Sequence, residues 1–415
     1  MFVCQIQRLY DNFVTSISFP GSIMVFLWVT LLLVLSPAAE EYAPSVILKD
    51  TRWNLEDSPY IIERDLTIER GASLTIAPGV RIIIRKPKLF DTTNQYDASD
   101  SVLVSIRVKG ALNCIGKRDQ HIQFIPQSTS KNTIGWYGII FDNAPGNFAE
   151  IAFTDIVNAY RAVSVRLSEP VIRNNIIEFN HIGIYCSVNG NAKIYNNIIT
   201  GNFLAGIHIR EANPHIANNI IVNNRNNGVL CDGKSKINFE YNCVYGNSDG
   251  DFLDCQPELG VIVRSRKKNA PETDIAHNIY KDPVFKGTRA ESDAKAQDLT
   301  IPTDMTDVKD TSLANIYYEN TTSPYDSLIE SKAGVKRFEL SRYSPCIESG
   351  LPGDDFKNVD KSRNTMGIWG GPEFFVTKEK AATNAPAKKS PAKSGGHGAP
   401  KKSGGHSAPK KKGGH

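Results

Sequence analysis

A repeat of about 22 residues runs through the middle of the chain and limits the possible folds more than any other feature. Asn174-Asn175-Ile176-Ile177 recurs as Asn196-Asn197-Ile198-Ile199 and as Asn218-Asn219-Ile220-Ile221, with a looser copy at Tyr241-Asn242-Cys243-Val244. The copies are joined by short β-branched runs that contain Asn and Gly, without an amphipathic stretch of helical length. Short strands at a fixed period predict a solenoid whose coils pair only with their neighbours along the axis.

Asparagine occupies two fixed positions in each repeat. It tolerates the left-handed backbone conformation of corners, and identical side chains about 4.8 Å apart on stacked strands can form a hydrogen-bonded ladder. We therefore predict a structural role for these residues, with ligand binding as the alternative. The predicted ladder residues are Asn175, Asn197, Asn219 and Asn242 in one row, and Asn180, Asn202, Asn224 and Asn247 in the other.

The less regular residues before the repeat show the same pattern. Leu66–Ile68 and Val80–Ile84 are β-branched runs, separated by turn signals such as Arg70-Gly71 and Pro78-Gly79. We predict an all-β protein in which residues 46–285 form a parallel β-helix of roughly nine or ten coils.

Two sets of motifs flank the repeat. Trp53-x4-Ser58-Pro59-Tyr60 precedes it, and Asp282–Phe285, Ser344–Gly350 and Arg363–Pro372 follow it. These segments resemble the two ends of right-handed parallel β-helix repeat proteins of the pectate-lyase-like superfamily, including secreted and surface β-helix proteins and the β-helix segments of bark beetle. The resemblance implies the fold far more than an activity.

The resemblance also divides the C-terminal half of the chain. It implies a long polar loop at residues 286–336 and a closing segment of the β-helix at residues 337–374. We expect the region before Trp53 and the segment after Asp282 to cap the two ends of the solenoid, since an uncapped β-edge invites association.

The N-terminus predicts secretion. The apolar run Ile23–Leu35 is short for a membrane span, and Ser36-Pro37-Ala38 suits signal peptidase, so residues 1–38 read as a signal peptide. A signal anchor is the alternative, because the preceding region is long and Arg8 is its only basic residue. After cleavage we expect no transmembrane span and an extracellular location.

Secretion would place the cysteines in an oxidising compartment. Removing Cys4 with the signal leaves six cysteines whose pairing is open, with buried free thiols as the alternative. Asn320-Thr321-Thr322 is the one glycosylation sequon, which predicts a glycoprotein with a surface loop there.

The tail at residues 375–415 differs in composition from the rest of the chain. Residues 377–415 hold ten lysines and one glutamate, a net charge of +9 against +4 for the whole chain. Rich in Lys, Gly, Pro, Ser and His, the tail cannot bury enough apolar surface to fold alone. It is expected to be disordered and to bind polyanions; an inert spacer and weak zinc or copper binding by its three histidines are the alternatives.

One outer face holds the strongest catalytic candidates. His208 lies between Ile207 and Ile209, so simple alternation places it on the outside if the two isoleucines point inward. An enzyme of this fold would need paired carboxylates for hydrolysis, or a calcium cluster and a base for elimination. The candidate catalytic residues are His208, Arg210, Glu211, Asp232 and Lys234.

Other residues could bind a metal or a sugar. Asp249, Asp251 and Asp254 form an acidic group that could bind calcium, although it lacks a full ligand set. Sugars stack on exposed aromatic rings, for which Trp136, Tyr137, Tyr160 and Tyr185 are candidates, with core packing the expected role of Trp136.

Between His208 and Lys234, on the candidate catalytic face, the sequence contains no Gly-His-Gly, no Arg-x-Lys of the polygalacturonase type and no Asp-His segment of the pectate-lyase type. We therefore predict a secreted, non-catalytic module that binds extracellular glycans or surface proteins and, through its tail, polyanions. No sequence-specific binding of nucleic acid is expected, and no cofactor. The alternative is a polysaccharide lyase or glycoside hydrolase acting on an acidic polysaccharide, with calcium as a possible cofactor of a lyase.

Overall fold

The computed structural model describes residues 41–85, 103–127, 134–145, 149–263, 272–290, 292–293, 295 and 335–372. The predicted signal peptide, the sequon at Asn320, most of the polar loop and the basic tail lie outside these residues. Within them the chain forms 26 short strands in three sheets, here called A, B and C, and every strand pairs in parallel. No helix in this part of the chain is long and apolar enough to cross a membrane.

Each strand up to β23 pairs with the strand three places later, because the chain visits the sheets in the fixed order A, B, C. Sheet A contains β1 Glu41–Tyr42, β4 Tyr60–Ile62, β7 Arg81–Ile84, β10 Ile122–Pro126, β13 Thr154–Val157, β16 Ile176–Glu178, β19 Ile198–Thr200, β22 Ile220–Val222 and β25 Cys243–Tyr245. Sheet B contains β2 Val46–Ile47, β5 Leu66–Ile68, β8 Ser105–Val108, β11 Gly138–Asp142, β14 Arg161–Arg166, β17 Ile182–Ser187, β20 Ala205–Arg210, β23 Asn227–Leu230 and β26 Gly250–Leu253. Sheet C contains β3 Thr51–Trp53, β6 Ser73–Ile76, β9 Ala111–Ile115, β12 Glu150–Ala152, β15 Val171–Arg173, β18 Lys193–Tyr195, β21 His215–Ala217 and β24 Asn238–Glu240.

The predicted fold class is confirmed: the protein is an all-β, right-handed parallel β-helix. The described strands complete eight turns, slightly fewer than the nine or ten predicted, because β25 and β26 have no following strand in sheet C. Side chains at alternate positions of each strand point inward and fill the solenoid interior, for example Ile177, Ile199 and Ile221.

The repeated isoleucine pair has one member on each side of sheet A. Ile176, Ile198 and Ile220 point away from the solenoid interior, yet each is fully buried. They belong to a second apolar core that includes residues of the closing segment and of the stretch before it. The partners supplied by those C-terminal residues are Ile279, Phe285, Val335, Phe338, Leu340, Cys346, Met366 and Ile368.

The expectation that the segment after Asp282 caps the solenoid end is therefore wrong. The closing segment packs along the outer flank of sheet A, because the apolar row of outward isoleucines must be buried. The region before Trp53 also differs from a simple cap, since β1, β2 and β3 form the first turn of the helix itself.

The second asparagine of each pair stacks in a continuous row. Asn175 Nδ2 donates to Asn197 Oδ1 at 3.0 Å, and Asn197 Nδ2 donates to Asn219 Oδ1 at 2.9 Å. Each carboxamide oxygen also accepts the backbone N–H of the preceding asparagine in the row. The row continues through Asn242 to Asn278, a residue that the repeat did not indicate.

A parallel row joins Asn180, Asn202, Asn224 and Asn247 in the same manner and ends where Asn247 Nδ2 donates to Asp251 Oδ1 at 2.8 Å. All of these asparagines are buried. Their donors and acceptors are satisfied from coil to coil, which a stack of identical corners requires.

The first asparagine of each pair has a different role. Asn174, Asn196 and Asn218 adopt left-handed backbone conformations with φ of 53°, 55° and 62°. Their side chains turn outward to the closing segment: Asn174 Nδ2 donates to the carbonyl oxygens of Ile368 and Gly370. The corner asparagines therefore connect the solenoid to the segment that covers sheet A.

The six cysteines of the predicted mature chain do not all pair. Cys231 and Cys255 form a disulfide bond near the C-terminal end of the solenoid. Cys114, Cys186, Cys243 and Cys346 are buried free thiols.

Candidate functional site

The outer face of sheet B carries a group of half-buried aromatic and basic side chains across neighbouring coils. Alternation along the strands places them there: in β20, Ile207 and Ile209 are fully buried whereas His208 is half-buried and faces outward. Strand register then aligns His208 with Tyr185 and Ser164 of the two preceding coils. We call this group the aromatic–basic face; its members are Tyr137, Tyr160, Arg161, His181, Tyr185 and His208.

Its rings stack from one coil to the next. The ring centroids of Tyr137 and Tyr160 are 5.6 Å apart, and those of Tyr160 and His181 are 5.0 Å apart with their planes nearly parallel. Tyr185 meets His208 edge-on at 5.1 Å. These spacings follow the distance between adjacent strands of a sheet, so the solenoid repeat itself sets the geometry of the face.

Arg161 lies at the centre of the aromatic–basic face. Its guanidinium carbon is 4.0 Å from the centroid of the Tyr185 ring and 5.4 Å from that of Tyr160. A guanidinium held over aromatic faces is attracted by their quadrupoles and keeps its fork of N–H donors in a fixed orientation. Arg161 therefore presents a pre-oriented positive charge between two rings.

Three buried polar atoms on this face have no hydrogen-bond partner. They are Arg161 Nε and Ser164 Oγ on β14 and His208 Nδ1 on β20, two coils further along, and each lacks a partner within the protein. Within the described part of the chain only five other buried side-chain nitrogen or oxygen atoms share this state. Because buried polar groups in native proteins are almost always satisfied, such a concentration indicates a place where water or a ligand completes the bonding.

The two histidines of the face are neutral at neutral pH. Burial, followed by the positive charge of Arg161, lowers the pKa of His181 below its usual value. Burial also lowers the pKa of His208, with further lowering by Arg161 and Arg210 and an opposing effect of Asp232. Arg161 therefore supplies the positive charge of the face, and each imidazole can both donate and accept a hydrogen bond.

The structure places the predicted catalytic residues on one side but gives them separate environments. His208 belongs to the aromatic–basic face, Arg210 is exposed at the end of β20, and Glu211 is exposed in the turn that follows, with φ of 53°. Asp232 and Lys234 lie in the corresponding turn of the next coil. Of these five residues, His208 is the one whose side chain packs against a ring of the face in the part of the chain that the structure describes.

Asp232 is engaged in holding its own turn. Its Oδ1 accepts the backbone N–H groups of Lys234 and Ser235 at 2.9 and 2.7 Å, and its Oδ2 accepts that of Glu211 at 2.7 Å. Desolvation raises the pKa of this carboxyl, but the hydrogen bonds outweigh it and keep the pKa well below its ordinary value. A carboxylate so stabilised in its ionised form is a poor proton donor.

The acidic group predicted as a calcium site is dispersed. Asp249 and Asp254 are exposed, whereas Asp251 is half-buried and accepts a hydrogen bond from the end of the second asparagine row. Burial raises the pKa of Asp251, partly offset by its hydrogen bonds with Asn247. Across the residues that the structure describes, no group of three or more His, Cys, Asp or Glu side chains is arranged to hold a metal ion.

The four candidate aromatic residues separate into two roles. Trp136 is fully buried, stacks on Phe124 and donates from Nε1 to the carbonyl oxygen of Val157 at 2.9 Å, as expected of a core residue. Tyr137, Tyr160 and Tyr185 are half-buried on the outer face.

Sequence reasoning missed Arg161, Ser164 and His181. Their signal was available in the repeat, because residues one coil apart align once the register of β14 and β17 is known. That register could not be read directly, since the regular asparagine pairs begin only at Asn174.

Comparison with known proteins supports the fold without adding an activity. A family model described as the right-handed beta helix region matches residues 118–269, which include the aromatic–basic face. Neither curated proteins nor solved structures gave a significant match to the chain.

Proposed function

We propose that this right-handed parallel β-helix repeat protein is a secreted, non-catalytic module that binds glycans through its aromatic–basic face. The observation that carries the proposal is the set of three unpartnered polar atoms, Arg161 Nε, Ser164 Oγ and His208 Nδ1, beside the stacked rings. A protein partner that presents the same chemistry is the other occupant to be tested.

Sugars match this combination of groups. The C–H face of a pyranose packs on an aromatic ring, while its hydroxyl groups can satisfy polar atoms at the ring edges. Tyr160 provides a ring on one coil and His181 and Tyr185 provide rings on the next. The atoms without a protein partner lie on these rings' strands and on the following coil. Because the face is built on paired strands, little conformational entropy is lost when a ligand binds.

The environment of the carboxylates favours binding over turnover. Asp232 is one of the two acidic residues among the predicted catalytic candidates, and it accepts three backbone hydrogen bonds. The lowered pKa of His208 would suit a base, but hydrolysis also needs a proton donor, and Asp232 is held in its ionised form. The lyase or hydrolase alternative is therefore an outcome of the experiments and not a second proposal.

Secretion has support from covalent chemistry as well as from the N-terminal sequence. The Cys231–Cys255 disulfide is of a kind that persists in oxidising compartments. The basic tail adds a second mode of attachment, because ten lysines with one glutamate attract polyanions over a range set by the ionic strength.

Affinity measurements on variants of the face test the proposal. Purified protein is titrated with immobilised acidic and neutral polysaccharides, with the tail deleted after Thr377 so that the face is measured alone. We expect Tyr185→Ala and Arg161→Ala each to weaken binding at least about tenfold, since stacked and charged anchors carry most of the binding free energy at such sites.

Tyr245→Ala is the matched control, because Tyr245 is an exposed tyrosine on sheet A, at a different face of the solenoid. Its binding should equal that of the parent. Equal affinity of all three variants, with unchanged thermal unfolding, would exclude the aromatic–basic face as the binding surface.

A further inference from the structure

Two free cysteines meet between the solenoid and the closing segment. Cys243 lies on the outward side of β25, in register with Ile220, and Cys346 belongs to the closing segment. Both residues are fully buried in the second core. Their thiol groups are neighbours in this core, since Cys346 raises the pKa of the Cys243 thiol, and Cys243 Sγ donates to the carbonyl oxygen of Lys281 at 3.2 Å.

The other two free thiols have different neighbours. Cys114 Sγ contacts Thr154 Oγ1 at 3.4 Å, and Cys186 hydrogen-bonds with the backbone of Ala192. Both lie within the solenoid core. Cys243 and Cys346 differ from them because each has the other as a thiol neighbour.

We propose that Cys243 and Cys346 are joined by a disulfide bond in the secreted protein, which ties the closing segment covalently to the flank of sheet A. The Cys231–Cys255 bond shows that the fold forms one disulfide, and the same oxidising environment acts on the second pair. Both cysteines are fully buried in the same apolar core, which keeps the two thiols in one place for the bond to form.

The reaction is a thiol–disulfide exchange with a disulfide oxidant, such as a protein disulfide of the secretory compartment. One thiolate attacks the oxidant to form a mixed disulfide, and the second thiolate then displaces the oxidant's sulfur. The two cysteines lose two protons and two electrons and gain one S–S bond, while the oxidant is reduced to two thiols.

The order of events follows from the environment of the thiols. In the folded, reduced protein the neighbouring Cys346 thiol, and then burial, raise the pKa of the Cys243 thiol well above its usual value. Because the thiolate is the nucleophile, exchange is slow once the closing segment has packed. The bond therefore forms during folding, and reduced protein that is allowed to fold first resists later oxidation.

The expected consequence is a more firmly held closing segment. The cross-link joins residues about a hundred positions apart, and a disulfide across so long a loop restricts the unfolded chain strongly. Melting of the closing segment would otherwise expose the apolar row Ile176, Ile198 and Ile220.

Peptide mapping of the full chain, secreted by a eukaryotic host and alkylated under denaturing conditions without reductant, tests the inference. We expect one linked peptide pair containing Cys243 and Cys346, another containing Cys231 and Cys255, and alkylated Cys114 and Cys186. The matched control Cys186→Ala should leave both linked pairs in place, whereas Cys243→Ala should leave Cys346 alkylated and lower the melting temperature by several degrees.

Alkylated Cys243 and Cys346 in wild-type protein that contains the Cys231–Cys255 link would overturn the inference. Alkylation of Cys231, Cys255, Cys243 and Cys346 would overturn it as well, and would also contradict secretion into an oxidising compartment. The mapping is made on wild-type protein, so neither outcome depends on whether a variant folds.

Discussion

At the scale of single residues, the two asparagines of each pair have different roles. Asn197 stacks within the solenoid, where its Oδ1 accepts from Asn175 and its Nδ2 donates to Asn219 and to the carbonyl oxygen of Ile172. Asn196 instead turns outward to the closing segment. The stacking role could be predicted from the 22-residue period alone, because it depends on neighbours one coil away. The outward role could not, because its partners are some 170 residues further along the chain.

Asn197→Ala should lower the free energy of unfolding by about 3 kcal/mol or more, because it leaves buried donors of Asn175 and an acceptor of Ile172 unpaired, at roughly 1–3 kcal/mol each. Denaturant unfolding measures the change. Asn238→Ala, an exposed asparagine of β24, is the control and should stay within about 0.5 kcal/mol of the parent. Similar small effects of both substitutions would contradict the ladder as a source of stability.

The histidines of the aromatic–basic face should make the proposed binding depend on pH. His208 is neutral at pH 7 because burial and two arginines lower its pKa, and an anionic ligand beside it would favour the protonated form. Affinity for an acidic glycan should therefore rise as the pH falls from about 7 towards 5, whereas affinity for a neutral glycan should not.

Calorimetric titration at several pH values measures this effect, and His208→Gln should flatten the dependence on acidic glycans. His215→Gln serves as the control, since His215 lies on sheet C and is hydrogen-bonded to Tyr195 and Glu240. A pH profile that His208→Gln leaves unchanged would remove His208 from the binding site.

At the scale of elements, sheet A shows both what the sequence predicts and where prediction fails. The strands β16, β19 and β22 follow directly from the repeated isoleucine pairs. Local alternation alone places one member of each pair in solvent, but Ile198 is fully buried. The difference arises because the closing segment returns along the sheet, and no local pattern gives the path of a chain across a long connection. The aromatic–basic face could likewise be predicted only in part. Single tyrosines and His208 could be named, but their alignment required the register of sheet B.

Ile198→Ala should destabilise the protein by about 2–5 kcal/mol, as much as Ile199→Ala, because both side chains are buried in apolar cores. Thermal or denaturant unfolding of the two variants gives the comparison. Lys193→Ala, at an exposed position of β18, should have little effect. If Ile198→Ala behaved like the lysine variant, the closing segment would not cover sheet A in solution.

At the scale of the whole molecule, the solenoid and the tail are proposed to bind through different physics. The aromatic–basic face offers stacking and oriented hydrogen bonds over four coils. The tail offers a high net positive charge, so its contribution should be electrostatic and broadly selective.

Truncation after Thr377 separates the two contributions. Retention of the full chain on a sulfated polysaccharide should fall steeply between low and physiological salt, and truncation should remove most of that salt dependence. Retention by the face alone should persist at physiological salt on its preferred glycan. An unchanged salt profile after truncation would show that the tail is a spacer.

The most direct test of binding without turnover is a single assay of retention and product formation. The protein is incubated with acidic and neutral polysaccharides, with and without calcium, while unsaturated products are followed by ultraviolet absorbance and new reducing ends by chemical assay. The account predicts retention on at least one glycan, weakened by Arg161→Ala, with no product under any condition. Product that forms with the wild-type chain and disappears with Arg210→Ala would contradict it and establish the protein as an enzyme.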